Sequence, residues 1–463
     1  VMNKIYLLVI TFLLIGCTAE SPEIQFESLL DSEWSKIVED NPVYASSMGD
    51  LSRNTEWSDT SVENIYLDHQ HNLDILNQLE ELDVASFSED NKVNYSLFKK
   101  QYENSIEAHK YKTYLIPFSH RGGIQLQHET TSVVPLRNKQ HYLDWIERIS
   151  KIDVLVDAAI AKAKIGISEG IVPPRFLMQK VYKQIELQAF IDPTDSPFYR
   201  TFIEMDRSIN AADVQEVQEK ALETIKSKVI PAYVKLHRFF KEEYLPACRS
   251  SIGIKEINNG KEYYEFLARK FTTTNLTPKE IHEIGLAEVE RIKGEMNNVI
   301  KEVKWEGTFK SFLNDLRTNP KFYYETSEEL FESYLATSKR IDPELVKLFK
   351  VLPSMPYGLK PIPMESAPDT TTAYYQRPAA DGSRAGYYYV NLYRPEVRPK
   401  YEIEVLSVHE AMPGHHLQIA LAMELDLPNF RKYGGITAFV EGWGLYSERL
   451  GYDLGLYKDP YSR

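Results

Sequence analysis

The stretch that decides the fold reads LSVHEAMPGHHLQ, from Leu406 to Gln418, and it holds three of the eleven histidines of the chain. A common zinc site uses two histidines one helical turn apart, with a glutamate beside the first histidine that activates a water on the metal. His409 and Glu410 supply the first half of that pattern. The stretch therefore predicts a metal-binding helix with Glu410 as the catalytic base.

The second half of the pattern is altered by a Pro-Gly pair. The residue four after His409 is Pro413, which offers no ligand atom and clashes with the carbonyl of His409, and Gly414 adds backbone freedom. The helix is therefore expected to kink or widen, which lets His415 turn toward His409. We predict His415 as the second ligand and keep His416 as the alternative. A helix with surface histidines around a proline kink is the other interpretation.

A third ligand is expected from the segment AFVEGWGLYSE, residues 438–448. Its apolar side chains can bury one helix face, and a carboxylate beside them needs a compensating cation, which zinc would supply. We therefore predict Glu441 as the third metal ligand. Glu448 lies two turns further on the same face, where it either supports a ligand histidine or is a solvated surface acid.

The N-terminus has the outline of a secretory signal. An apolar run from Ile5 to Leu14 follows Lys4, and Leu14 to Cys17 resembles a bacterial lipobox, in which the cysteine is lipidated. The apolar run is shorter than the roughly 20 residues that a membrane-spanning helix needs. We predict a signal peptide over residues 1–16, lipidation of Cys17 and a lipid-anchored protein of the bacterial cell envelope. A cytosolic protein with an apolar N-terminal strand is the alternative.

Composition excludes several classes of protein. The 463 residues include 54 basic and 67 acidic side chains, a net charge of −13, which argues against nucleic-acid binding. Cys17 and Cys248 are the only cysteines, so neither a disulfide framework nor a thiolate zinc cluster can form within the chain. Apart from the lipid anchor, no contact with a membrane is expected. The sequence leaves the oligomeric state open.

Helical periodicity dominates the chain from Glu23 onward. Residues 117–134 are an exception, where glycines, prolines and the β-branched run from Thr130 to Val134 predict loop and extended chain. The sequence Thr277-Pro278-Lys279-Glu280 is a capping box that begins a long helix, expected to end near Val303. The fold class predicted is mainly α, a large helical domain with a small β element next to the His-Glu helix. A single domain over 17–463 is the simplest organisation.

The β element is expected within the proline-rich segment from Val351 to Pro399, where residues 386–393 read GYYYVNLY. This strand is a candidate for binding an extended peptide by edge pairing, with Tyr389 and Asn391 as substrate-binding residues. The alternative is an ordinary strand whose tyrosines pack on helices.

Three motifs together resemble one bacterial family. They are HEAMPGHHLQ at 409–418, VEGWGLY at 440–446 and RAGYYYVN at 384–391, and they resemble the family known as a domain of unknown function, number 885. The resemblance extends weakly through most of the chain after the signal. It implies a predominantly helical fold, frequent lipoproteins, and similarity to gluzincin metallopeptidases with a His-Glu helix and a distant glutamate ligand.

The resemblance also implies that members continue beyond the stretch matching Tyr461 to Arg463, so the chain is expected to be incomplete at its C-terminus. Gluzincins commonly place a group that stabilises the transition state downstream of the third ligand, and the expected truncation leaves the activity of this chain open.

The function predicted is a zinc-dependent metallopeptidase that cleaves amide bonds in a peptide or small amide substrate. The alternative is a non-catalytic lipoprotein, acting in binding or as a structural protein, whose metal only stabilises the fold. The two functions differ in metal coordination. A catalytic zinc keeps one coordination position for exchangeable water or substrate, whereas protein ligands fill all four positions of a structural zinc.

Overall fold

A computed structural model of the chain describes residues 20–364 and 366–463. Helices account for 65% and strands for 5%, which confirms the predicted fold class. The predicted signal peptide and Cys17 lie outside the described residues. Within the described ranges, no helix is both long and apolar enough to cross a membrane.

An N-terminal group of helices packs around its own apolar core. The helices that form it are α1 (Pro22–Asp40), α3 (Val62–Glu80) and α4 (Glu89–His109), whereas the short α2 (Pro42–Met48) packs through Val43 against the core of the middle of the chain. Phe26 of α1, Leu79 of α3 and Phe98 of α4 meet in this core and are at most 1% exposed. Among them lies the buried carboxylate of Glu33, which accepts hydrogen bonds from Tyr102 and His71 and thereby ties α1, α3 and α4 together.

The largest core belongs to the middle of the chain. Its helices are α5 (Lys139–Ile149), α6 (Ile152–Glu169), α7 (Arg175–Ala189), α8 (Arg200–Ile203), α9 (Ala211–Thr224), α10 (Ile230–Phe239) and α11 (Leu245–Ala247). Two short strands, β1 (Phe118–Ser119) and β2 (Gly122–Gly123), form a hairpin before them. The extended chain predicted for Thr130 to Val134 is wrong, because most of this run lies in a 3-10 helix, Ile124–Ser132. Burial of Ile124, Gln125, Leu126 and His128 on that helix offsets the β propensity of the run.

Four helices follow along the chain: α12 (Gly260–Thr272), α13 (Pro278–Glu302), α14 (Phe309–Thr318) and α15 (Ser327–Ile341). The capping box predicted for α13 is confirmed, since Thr277 accepts from the Glu280 N–H and the Glu280 carboxylate accepts from the Thr277 N–H. The predicted end near Val303 is confirmed as well.

A three-stranded sheet forms in the proline-rich segment. Its strands are β3 (Tyr357–Pro361), β4 (Ala373–Gln376) and β5 (Gly386–Val390), in the order β3-β5-β4. β5 runs parallel to β3 and antiparallel to β4, with Tyr388 opposite Tyr375 and Tyr389 opposite Tyr374. Directly opposed residues share a face. Tyr388 and Tyr375 therefore face one side of the sheet, and Tyr389 and Tyr374 face the other.

Four helices follow the sheet along the chain, α16 (Ile403–Glu410), α17 (His415–Glu424), α18 (Asn429–Tyr433) and α19 (Thr437–Leu450). The sheet packs directly against α16 through β4. Tyr388 is fully buried in a cluster that includes Ile403 and Ala411. On the other side of α16, Val408 packs in a second cluster with Leu417 and Trp443. α16 is thus held between the sheet, α17 and α19, and this packing fixes the position of the His-Glu motif.

Candidate metal centre

The chain breaks between the two histidine-bearing helices. α16 ends at Glu410 and α17 begins at His415, so the predicted kink is a complete interruption. Gly414 explains why the chain folds back tightly, because a Cβ atom there would lie 1.8 Å from the carbonyl oxygen of His409. Helix α19 secures the break, since Trp443 Nε1 donates to the Pro413 carbonyl at 2.8 Å. The Met412–Pro413 peptide is cis.

The break brings the three predicted ligands together. His409, His415 and Glu441 each present one ligand atom, and all three atoms lie within 4.8 Å of one another. Nε2 of His409 lies 3.7 Å from Glu441 Oε2, and Nε2 of His415 lies 3.8 Å from the same oxygen. The imidazole rings meet edge to face with their centroids 4.7 Å apart. The side chain of Glu441 is 59% exposed, so one side of the cluster is open to solvent.

Glu448 orients the first histidine. His409 Nδ1 lies 2.8 Å from Glu448 Oε1, which confirms the predicted contact between Glu448 and a histidine. This hydrogen bond raises the pKa of His409. A proton held on Nδ1 by a carboxylate leaves the Nε2 lone pair directed into the cluster, the arrangement typical of metal-binding histidines.

Gly444 allows α19 to approach that histidine closely. An added Cβ atom at this position would lie 2.7 Å from Cε1 and from Nε2 of His409. Since real Cβ contacts are essentially never shorter than 3.0 Å, any larger residue at position 444 would force α19 and the His409 ring apart.

Glu410 lies beside the cluster and contributes no atom to it. Burial raises the pKa of its carboxyl group to about 7, and the negative charge of Glu441 adds to the rise. The charge of His409 and a hydrogen bond from the Tyr375 backbone N–H act in the opposite direction. A carboxyl group with such a pKa exchanges protons near neutral pH, which suits a general acid and base.

His416, the alternative second ligand, is engaged elsewhere. Its Nε2 donates to the Met355 carbonyl at 3.0 Å, so its Nδ1 accepts from the Tyr375 hydroxyl at 2.8 Å. Burial lowers the pKa of this imidazole to about 4. With both ring nitrogens bonded to protein groups outside the cluster, the geometry favours His415 over His416.

The prediction that a peptide pairs with the edge of β5 is wrong. β5 is the central strand and is paired on both sides, so no peptide can join it. Tyr389 is 5% exposed and stacks on Tyr374 with 4.8 Å between ring centroids. Asn391 is 1% exposed and its Nδ2 donates to the carbonyls of Ala367 and Thr371. A substrate role for Tyr389 and Asn391 stays a prediction, and in the structure both serve the packing of the sheet.

Sequence reasoning missed β4 as the strand nearest the cluster. Tyr375 of β4 turns its N–H toward Glu410 and its hydroxyl toward His416. The edge of β4 opposite β5 pairs with no strand in the described part of the chain. β4 has only four residues and lies within a proline-rich segment, where apolar and polar residues do not clearly alternate. The sequence therefore carries little local signal for this strand.

One family model matches most of the chain, and two solved structures resemble its fold. The family model described as "Bacterial protein of unknown function (DUF885)" matches residues 42–463. A crystal structure described as a "putative lipoprotein" from Colwellia psychrerythraea superimposes with a TM-score of 0.84 at 26% identity, covering 96% of this chain and 80% of that one.

A "putative lipoprotein of unknown function" from Shewanella oneidensis superimposes with a TM-score of 0.62 at 16% identity, again covering 96% of this chain and 80% of that one. This similarity shows a common fold. A comparison with curated proteins gave no match. Because the family model spans most of the chain, the protein belongs to the DUF885 family of bacterial proteins.

Proposed function

We propose that the protein is a zinc-dependent hydrolase that cleaves amide bonds in peptides or small amides. The observation that carries this proposal is the convergence of His409, His415 and Glu441 within 4.8 Å, with the Glu410 carboxyl group beside them. Two imidazoles and one carboxylate form the ligand set of catalytic zinc in thermolysin-like enzymes.

The donor atoms fit zinc in chemistry and spacing. Ligands at about 2.0–2.2 Å from a tetrahedral ion lie about 3.3–3.6 Å apart. The separations of 3.7 and 3.8 Å from the histidines to Glu441 Oε2 exceed that range by only a few tenths of an ångström. The whole set lies within 4.8 Å, so an ion would draw its members closer together. Because His416 is bonded to Tyr375 and Met355, the set holds three protein ligands. The fourth position is then available to water or substrate, which supports a catalytic over a structural site.

Glu410 is the proposed proton carrier. Zinc in such a site lowers the pKa of water and polarises the substrate carbonyl. Glu410 takes the proton from the attacking water and delivers it to the leaving amine. Burial of this carboxyl group raises its pKa and so favours its holding the proton between the two transfers. The Tyr375 N–H holds this carboxyl group in place next to the cluster.

The substrate is proposed to lie along β4. This edge strand carries the Tyr375 N–H that meets Glu410, so a backbone running beside β4 passes directly in front of the cluster. Pairing with an edge strand supplies main-chain hydrogen bonds that do not depend on the side chains of a peptide.

The proposed location is the bacterial cell envelope, with the chain held to a membrane by a lipid on Cys17. The resemblance of the Colwellia psychrerythraea protein, described as a "putative lipoprotein", supports this location. The lipobox-like sequence from Leu14 to Cys17 supports it independently.

Zinc analysis followed by Glu410→Gln tests the function. The wild-type chain is expected to bind one zinc ion and to cleave members of a mixed peptide library, detected by mass spectrometry. Glu410→Gln should keep the zinc and lose at least about 10²-fold in rate, the effect of removing a general base. Glu332→Gln, an exposed acid on α15, is the control and should retain full activity. The cleavage screen is run on this chain and on a version extended by the C-terminal segment of a family member. Zinc-loaded protein that cleaves no amide in either form would favour the metal-stabilised binding protein.

A further inference from the structure

Two arginines on the loop between β4 and β5 have no acidic partner. Arg377 and Arg384 form no ion pair with any side chain of residues 20–364 and 366–463. The Arg384 Nε atom is buried without a hydrogen-bond acceptor, and its Nη1 donates to the Arg377 carbonyl at 3.0 Å. The Nη1 of Arg377 donates to the Tyr433 carbonyl at 2.6 Å. The two guanidinium groups are thus fixed by backbone carbonyls, and the acid that acts on Arg384 is Asp381, through a longer-range charge interaction without an ion pair.

The surroundings of Arg384 are aromatic and partly buried. Its guanidinium lies within electrostatic range of the hydroxyls of Tyr389, Tyr387 and Tyr375, and burial lowers its pKa. Asp381, on the same loop, is exposed and accepts from the Ser383 N–H, and it makes no ion pair with Arg384. Partly burying a guanidinium without an anion is unfavourable, which is typical of a position prepared for a ligand.

The Arg384 guanidinium is connected to the candidate metal centre through Tyr375. That residue places its N–H at Glu410 and its ring near Arg384. The start of β5 touches the same ring, because a Cβ atom at Gly386 would lie 2.5 Å from the Tyr375 hydroxyl. Arg384 precedes Gly386 by two residues. It therefore lies at the end of the β4-β5 hairpin, just beyond Gln376, where the proposed path of the substrate along β4 ends.

The geometry points to a subsite for a carboxylate of the substrate, formed by Arg384 with Arg377 beside it. This inference rests on the proposed function, since it names the substrate class of the same site. Arg384 Nη2 has no hydrogen-bond partner among the described residues and is not one of the buried unpartnered atoms, so it is available to a ligand. A guanidinium matches a carboxylate in charge and geometry. The carboxylate comes from an acidic side chain or from the C-terminus of a peptide.

The test measures binding to chelator-treated protein, so that it depends on neither metal nor turnover. Isothermal calorimetry compares four alanine-based tetrapeptides: a free C-terminal acid, its amide, and amidated peptides with one glutamate or one glutamine. We expect one carboxylate form to bind at least about tenfold more tightly than its uncharged counterpart, the usual effect of a hydrogen bond to a charged group. The free acid and its amide test recognition of a C-terminal carboxylate. The glutamate and glutamine peptides test recognition of an acidic side chain.

Arg384→Gln should abolish that preference, and Arg384→Lys, which keeps the charge, should retain part of it. The matched control is Arg137→Gln, because Arg137 is exposed and bonds the same loop through the Ser383 carbonyl. Equal binding of all four peptides to the wild-type chain, or a preference that survives in Arg384→Gln, would overturn the inference. A wild-type chain that shows the preference but hydrolyses nothing would instead refute the proposed function and leave the subsite in place.

Discussion

Gly444→Ala inserts one methyl group between helix α19 and the first proposed ligand. The new Cβ atom would lie 2.7 Å from Cε1 and Nε2 of His409 and 3.1 Å from Nδ1. The imidazole cannot move freely, because its Nδ1 is bonded at 2.8 Å to Glu448, one turn further along the same helix. Relief of the contact therefore displaces Nε2 from the cluster or lengthens the bond to Glu448.

Both responses weaken metal binding. Loss of the group that orients a ligand histidine typically lowers metal affinity about 10- to 100-fold, and we expect a loss of that size. Overpacking costs about 1–3 kcal/mol in free energy of unfolding. Alanine has a higher helix propensity than glycine, which offsets about 1 kcal/mol of this loss of stability. The metal-free variant should therefore be less stable than the wild type by about 0–2 kcal/mol.

Gly442→Ala is the matched control, two residues away on the same helix. A Cβ atom there meets nothing within 4 Å, so this variant should bind zinc normally and gain up to about 1 kcal/mol in stability. Zinc titration against a chromophoric chelator measures the affinity, and urea unfolding of the metal-free proteins measures the stability. Wild-type zinc affinity in Gly444→Ala, or an equal loss of zinc affinity in Gly442→Ala, would refute the role of the close contact between Gly444 and His409.

Three further outcomes are expected. His415→Ala should abolish tight zinc binding, whereas His416→Ala should keep the zinc affinity within tenfold of wild type. His416→Ala should instead lower the free energy of unfolding by about 1–3 kcal/mol, because Tyr375 and Met355 lose a buried hydrogen-bond partner. Glu448→Gln should lower zinc affinity about 10- to 100-fold, measured by the same titration. Cys17→Ser should move the protein from the membrane to the soluble fraction or leave it unprocessed, and unchanged membrane partitioning without detectable lipid would contradict the anchor.

Local signals in the sequence predicted individual elements well. The capping box at Thr277 specified the start of α13, because both hydrogen bonds that cap the helix come from residues within one turn. Val214, Val217, Ala221, Ile225 and Val229 recur at helical spacing, which predicts one apolar stripe in the core. The last four are at most 1% exposed, whereas Val214, near the start of the helix, is only partly buried. The spacing of Glu441 and Glu448 placed both on the face of α19 that meets the histidines.

Features that depend on distant chain segments were not predictable in this way. The sequence indicated a strand at residues 386–390 but could not show that β3 and β4 flank it, so edge pairing was assigned to a central strand. The Pro-Gly pair predicted only a kink, because the complete break depends on the fold of the chain back onto the His409 carbonyl and on Trp443 from α19. The role of Gly444 is visible only when two helices are in contact.

The most direct test of the central claim is anomalous diffraction at the zinc absorption edge from crystals grown with one equivalent of zinc. We predict one strong peak at about 2.0–2.2 Å from Nε2 of His409, from Nε2 of His415 and from a carboxylate oxygen of Glu441. A peak coordinated by His416, or no zinc between these three side chains, would contradict it.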